Sequence, residues 1–280
     1  MKTALLLTLL PVACHALGFQ NTYDYEAYRW RTNVVAAGAS VSDNTYRIAT
    51  TFMLNIKASG VRGALKCCSL YAGTGLNACL WPIINDQGLA ISVNQNFVSG
   101  DYTEATGLTG DALTKYFSQQ WTFAAGDKNS AHIALYCRTG SDAANATQGV
   151  GIGNNRAELA ISVAGATYFV LWDVNAGSSV TDSSGTGFYM MTRRGDADLM
   201  LYKNGASFGT NASPGTSGSI GGATGAHTLV LSGTSVAPTA RTLCFYGYGN
   251  GVADSLQVAY WKAVQRVQIG LGRHIGTTAL

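Results

Sequence analysis

Charge is scarce in this sequence. Only 12% of its 280 residues are Asp, Glu, Lys or Arg, and the formal net charge is +3. Basic residues never run beyond the pair Arg193-Arg194, so the phosphate-neutralising stripe that nucleic-acid binding needs is missing. Glutamate is scarcer still, with Glu26, Glu104 and Glu158 far apart along the chain. Glycoside hydrolysis needs two carboxylates flanking the scissile bond. Asp196 and Asp198 share one strand face, but no glutamate stands beside them and they read as a solvated turn edge. A G-x-S-x-G nucleophile elbow is missing, and Ser217 sits in a low-complexity Gly/Ser/Thr stretch. The run Gly149-Val150-Gly151-Ile152-Gly153 lacks the helix and lysine of a phosphate loop. These absences lead to the expectation that the chain is not an enzyme.

Metal-binding spacing is missing as well. The six cysteines, Cys14, Cys67, Cys68, Cys79, Cys137 and Cys244, form no C-x-x-C pair, and the four histidines are scattered, which argues against zinc. Buried free thiols and a disulfide, including one to a neighbouring subunit, both fit. No cofactor is expected. Calcium in a loop has only the isolated Asp127 and Asp182 to draw on. No apolar run reaches the ~20 residues of a membrane span. The N-terminal stretch Met1 to Ala16, MKTALLLTLLPVACHA, has the outline of a secretory signal peptide; a retained segment packed in a larger assembly fits it equally.

What the chain does have is apolar residues (47%) and glycine, 34 against 4 prolines. That composition suits a β-rich protein with many tight turns, argues against disorder, and the length permits a sizeable core. After an apolar segment over 1–22, residues 23–78 read as a helical lead-in. Asp24 is placed to cap a helix carrying Ala27, Trp30 and Val34 and ending at Gly38. Ser42 or Asp43 is placed to cap a second helix with Ile48, Phe52 and Ile56 on one face and Gly60 at its end. A third short turn is expected over Val61–Cys68. From 79 to 252 the period changes to short β-prone runs separated by Gly, Asn, Asp and Ser clusters. Residues 253–280 return to a helix and tail, with Asp254 and Gln257 as a capping-box-like start and Val258, Trp261, Val264, Val267 and Leu271 as the apolar stripe. The fold expected is mainly β, an antiparallel jelly-roll sandwich flanked by an N-terminal helical segment and a C-terminal helix.

The strongest local signal is Ala197 to Thr210, ADLMLYKNGASFGT, where Asn204-Gly205 separates two alternating runs. Such a pair supplies the two positive-φ residues of a two-residue hairpin turn. The pattern apolar-Tyr-x-Asn-Gly resembles a hairpin of laminin-G-like and concanavalin-A-like sandwiches. Two longer segments are similar to tailed-bacteriophage proteins with a concanavalin-A-like domain. One matches at Asn96, Phe97, Asp101, Tyr102, Thr106, Gly107, Leu108, Gly110, Asp111, Thr114, Lys115 and Tyr116; the other at Tyr260, Ala263, Val264, Gln265, Leu271, Gly272 and Arg273. The resemblance implies a virion structural protein, a capsid decoration or a tail or baseplate appendage. Its expected partners are other virion proteins and further copies of itself, as a trimer. The alternative is a phage-borne or secreted lectin or host-receptor-binding protein. In that reading Trp121, Tyr168, Trp172 and Tyr248 are the candidates to stack on a cell-surface glycan.

Overall fold

The computed structural model describes residues 23–86, 93–111, 114–123, 129–139, 148–150, 156–173, 178–211, 225–231 and 240–276. The N-terminal segment 1–22, Asp127 and Ser217 lie outside them. Two helices come first, α1 (Tyr25–Ala36) and α2 (Asp43–Ala58). The Asp24 carboxylate caps α1 by accepting from the Glu26 and Ala27 N–H groups, and also accepts from Lys57 Nζ at the far end of α2. Ser42 Oγ caps α2 by accepting from Thr45 N, and Gly60, at φ 85°, turns the chain out of that helix.

The expected third helical turn is shorter than the sequence suggests. A 3-10 turn spans Val61–Ala64, after which Leu65–Ser69 is a strand, β1, placing the start of the sheet well before residue 79. The buried residues Leu65, Cys67, Cys68 and Ser69 satisfy either helix or strand locally. Here pairing on both sides decides, because β1 lies between β2 (Ile84–Asn85) and the long strand β16 (Thr242–Gly249). One turn of helix follows β1, α3 (Leu76–Cys79).

The remaining strands are β3 (Val93–Gln95), β4 (Tyr102–Thr103), β5 (Gly107–Thr109), β6 (Tyr116–Phe123), β7 (Ala131–Cys137), β8 (Gln148–Val150), β9 (Arg156–Val163), β10 (Ala166–Asp173), β11 (Ser178–Thr181), β12 (Gly187–Gly195), β13 (Asp198–Lys203), β14 (Ala206–Asn211) and β15 (Gly225–Leu231). They form two antiparallel sheets. One runs β14-β13-β12-β7-β16-β1-β2, with β5 and β4 added beside β16; the other runs β11-β10-β9-β8-β15-β6-β3. Helix α4 (Asp254–Gly270) then joins α1 and α2. This is a jelly-roll-like sandwich with a helical layer on one outer face, as the change of periodicity implies.

That third layer explains why the central strands do not alternate apolar and polar. In β7 every residue is buried: Ala131, Ile133, Leu135 and Cys137 enter the core between the sheets, whereas Ala134 and Tyr136 face the helices. Strand β12 divides in the same way, with Tyr189 and Met191 inward and Phe188 and Met190 beneath the helices. In β16 a register shift between Leu243 and Phe245 puts both Cys244 and Phe245 on the helical side and restores Tyr246 and Tyr248 to the inter-sheet core. On the helical side, Phe52, Val264 and Tyr260 cover this surface, Tyr260 meeting Phe188 edge-on at 5.3 Å between ring centroids.

The closing helix departs from its expected details. Its N-cap, Ala253, has no capping side chain, because the Asp254 carboxylate instead accepts from the Tyr202 hydroxyl and pairs with Arg194. Its buried face carries Tyr260, Ala263, Val264 and Val267, and Val258 is exposed. The Asn-Gly hairpin forms as expected, with Asn204 at φ 50° and Gly205 at φ 78°. Gly205 lies under α4, where a Cβ would fall 2.5 Å from the Trp261 ring.

Candidate functional site

The four aromatics read as sugar-stacking candidates are not assembled into one site. Tyr168 lies on β10, where Phe169 and Leu171 point into the inter-sheet core, and its own side chain is 44% exposed. It stands opposite Ser179 on one side and Ala160 on the other, so its ring is presented from the outer side of the second sheet. Tyr248 belongs to the opposite sheet and is fully buried. The return to inward alternation after the β16 bulge places it in the core beside Cys67, where it cannot touch a ligand. Trp121 is in β6 opposite His227, and Trp172 is in β10; their side chains lie outside the described residues. Of the four, Tyr168 is the one the structure shows at a surface.

The cysteines do not provide a reactive centre. Cys67, Cys68, Cys79, Cys137 and Cys244 are free and buried, which decides for thiols at these five positions. Burial pushes the Cys67 thiol up to about 12, against hydrogen bonds from Tyr248 and Tyr246 that work the other way. Such a thiol carries little thiolate at neutral pH.

The segments 96–116 and 260–273 meet at Arg273. The chain leaves α4 through Leu271-Gly272-Arg273, with Gly272 at φ 70°. The Arg273 N–H donates to Gln268 O and the Gly272 N–H to Ile269 O, the paired bonds of a Schellman cap. That turn sends the Arg273 side chain back into the protein, where it is completely buried. Its Nε donates to Gln268 Oε1, one terminal nitrogen to Tyr71 O and Glu104 O, and the other to Leu70 O and Cys244 O. All five guanidinium donors are thereby matched. Tyr102, from the other segment, donates its hydroxyl to Tyr71 O and Gly73 O at 2.8 Å each, while Glu104 Oε1 accepts from Gly73 N.

Other residues of the first segment order that segment itself. Lys115 Nζ pairs with Asp101 at 2.8 Å, and Asp111 accepts from the Thr114 and Lys115 N–H groups. Gly107, at φ 95°, has no room for a Cβ, which would fall 2.5 Å from Leu243 O. Arg273, Tyr102 and Glu104 link α4, β16 and the 70–73 segment, and Gly107 lets β5 lie close against β16. The sequence records Arg273 as the end of a motif; the Gly-Arg step after an amphipathic helix was the available signal that a cap aims this side chain inward.

A second cluster closes the edge between the two sheets. Asp182 lies between β11 and β12 and is buried. Its carboxylate accepts from Thr167 Oγ1, Tyr189 OH, Lys203 Nζ and Ser184 Oγ. Burial would raise its pKa, but Lys203, Tyr189 and Thr167 together hold it well below the usual carboxylate range. Lys203 also lies over the Tyr189 and Phe208 rings, 5.0 Å from each centroid. With its oxygens occupied by these donors, Asp182 works as an electrostatic clasp rather than the calcium ligand considered from the sequence. Among the described residues no three His, Cys, Asp or Glu side chains are grouped to hold a metal. None of their helices is long and apolar enough to cross a membrane.

The class this architecture defines is a two-sheet antiparallel, jelly-roll-like β-sandwich with an added helical layer. Neither a protein-family model nor a curated protein matches the chain. Among solved structures, it is similar to Trypanosoma rangeli sialidase in complex with 2,3-difluoro-KDN, at 10% identity and TM-score 0.47, covering 79% of this chain and 40% of that one. It is also similar to the botulinum neurotoxin serotype D binding domain, at 13% identity and TM-score 0.49, covering 70% of this chain and 51% of the other. A third similar structure is the botulinum neurotoxin DC binding domain in complex with rat synaptotagmin II, at 14% identity and TM-score 0.40, with 57% and 42% covered. The chain thus spans about half or less of the chains it resembles, and the likeness concerns the fold alone. The expectation that the chain is not an enzyme is corrected: the similar structures include sialidases as well as binding domains, and a missing motif does not by itself exclude catalysis.

Proposed function

We propose that this chain is a subunit of a tailed-bacteriophage particle, a capsid decoration or a tail or baseplate appendage, with its lectin-like sandwich as the binding module. The observation that carries this reading is the meeting of the two phage-type segments around Tyr71 and Arg273, through Tyr102 OH and the five-donor guanidinium. That two segments this far apart in sequence build one joint supports reading the resemblance as one of a shared fold. Its partners are other virion proteins and copies of itself, a trimer being the arrangement proposed, and residues 1–16 are retained in the particle. A second reading, recognition of a cell-surface glycan or host receptor by a phage-borne or secreted form, is favoured by the exposure of Tyr168.

Mass spectrometry of gradient-purified particles tests the first reading. The expected result is peptides of this chain, including its N-terminal segment, in a fixed ratio to the major capsid protein. Particles without the chain, with the protein confined to the medium, overturn it. Glycan-array binding by that soluble form, weakened in Tyr168→Ala, would establish the second.

A further inference from the structure

Helices α2 and α4 pack against each other through one buried cluster. At Gly270 a Cβ would lie 2.9 Å from Ile48 Cδ1, so the Ile48 side chain packs directly against the end of α4. Beside this contact is a crevice with a volume of 140 Å³. Its floor is apolar, made by Ile48, Phe52, Ala263 and Val267, and its rim is formed by Thr51 and two arginines, Arg47 and Arg266. The volume is close to that of the roughly 150 Å³ apolar cavity that admits a benzene ring.

The charges at this rim lack internal compensation. Arg47 donates to the neutral Asn44 amide at 2.8 Å, and Arg266 has no hydrogen-bond or ion-pair partner among the described residues. The carboxylates of the helical layer are engaged elsewhere. Asp24 and Glu26 pair with Lys57, and Glu26 also with Arg62. Asp43 pairs with Arg31, and Asp254 with Arg194. Two cationic forks over an apolar floor are complementary to a carboxylate joined to a hydrophobic body. A planar carboxylate takes paired N–H donors from a guanidinium, while the floor removes the attached group from water.

We propose that the α2–α4 crevice binds a carboxylate carried on an apolar group about the size of one ring. The inference is independent of the particle reading, since it rests on the crevice alone. Saturation-transfer NMR on the full chain, with benzoate, benzyl alcohol and inorganic phosphate as probes at millimolar concentration, tests it. Benzoate should bind in preference to both others. Arg266→Gln and Arg47→Gln, at exposed positions that leave the fold intact, should each weaken benzoate by about tenfold or more, as expected for loss of a charge-assisted hydrogen bond. Ala263→Leu should abolish binding by filling the floor, with an unchanged far-UV spectrum confirming that the variant folds. Failure of the wild-type chain to bind benzoate, equal binding of benzyl alcohol or phosphate, or unchanged binding in both arginine variants would overturn the proposal.

Discussion

Replacing Arg273 by lysine isolates geometry from charge. The guanidinium fills five acceptors in a buried site, four of them main-chain carbonyls from the 70–71 segment, Glu104 and Cys244. Lysine keeps the positive charge but brings only three donors, all on one atom, so at least two acceptors lose their Arg273 bond, of which only Tyr71 O has the Tyr102 hydroxyl as a second side-chain donor. Each buried acceptor left unsatisfied costs about 1–3 kcal/mol, giving a loss of roughly 1–6 kcal/mol for one or two of them. That is a large share of the about 5–15 kcal/mol by which domains are stable. Urea unfolding followed by tryptophan fluorescence should show the midpoint falling at unchanged slope. Arg266→Lys, on the exposed face of the same helix, should stay within about 0.5 kcal/mol of wild type and serves as the control. An Arg273→Lys protein as stable as that control would refute the view that this side chain ties the segments together.

Other consequences concern titration and turns. Burial lowers the His132 pKa to about 4, against its hydrogen bond to Asn250 O. The unfolded chain therefore binds the extra proton from about 6.5 downward, and stability should fall between pH 6.5 and 4 by roughly 3 kcal/mol; urea midpoints in His132→Gln should lose that slope, and an identical slope would refute the assignment. Asp182 acts in the same direction but in a lower window: its pKa is held low, so its contribution is present above about 3.9 and disappears as pH falls through the folded value. Asp182→Asn, which leaves Lys203 facing a neutral amide, should cost about 3 kcal/mol at pH 7, the lower end for breaking a buried pair because Lys203 reaches solvent; a calorimetric loss below 1 kcal/mol would contradict the clasp. Gly205→Ala should destabilise by at least about 1–2 kcal/mol, since φ is 78° and the new Cβ would meet Trp261; an unchanged melting temperature would show that the hairpin does not pack against α4 in this way.

The parts of the fold legible in the sequence are those fixed locally. Asp24 and Ser42 announce two helix starts through side chains that accept from the next turn, and Asn204-Gly205 announces its hairpin because few residue pairs adopt two successive positive φ values. The parts that were not legible depend on the third layer. With helices covering the outer face, β7, β12 and β16 are apolar on both sides, and β1 has no polar alternation to separate it from a helix. The same layer makes Tyr248 indistinguishable in sequence from a surface aromatic, since only the β16 bulge fixes its direction. Arg273 is harder still, because its role lies in carbonyls from residues 70, 71, 104 and 244, which no local pattern brings together.

The central claim, that the chain is a phage particle subunit, is tested most directly by immunogold electron microscopy of intact purified particles. An antibody raised against the exposed outer face of α1, around Tyr25 and Tyr28, leaves the Arg273 joint untouched. The account predicts gold at one recurring position on the particle, on the head or on the tail tip. Particles that remain unlabelled, while the same antibody finds the protein free in the medium, would contradict it.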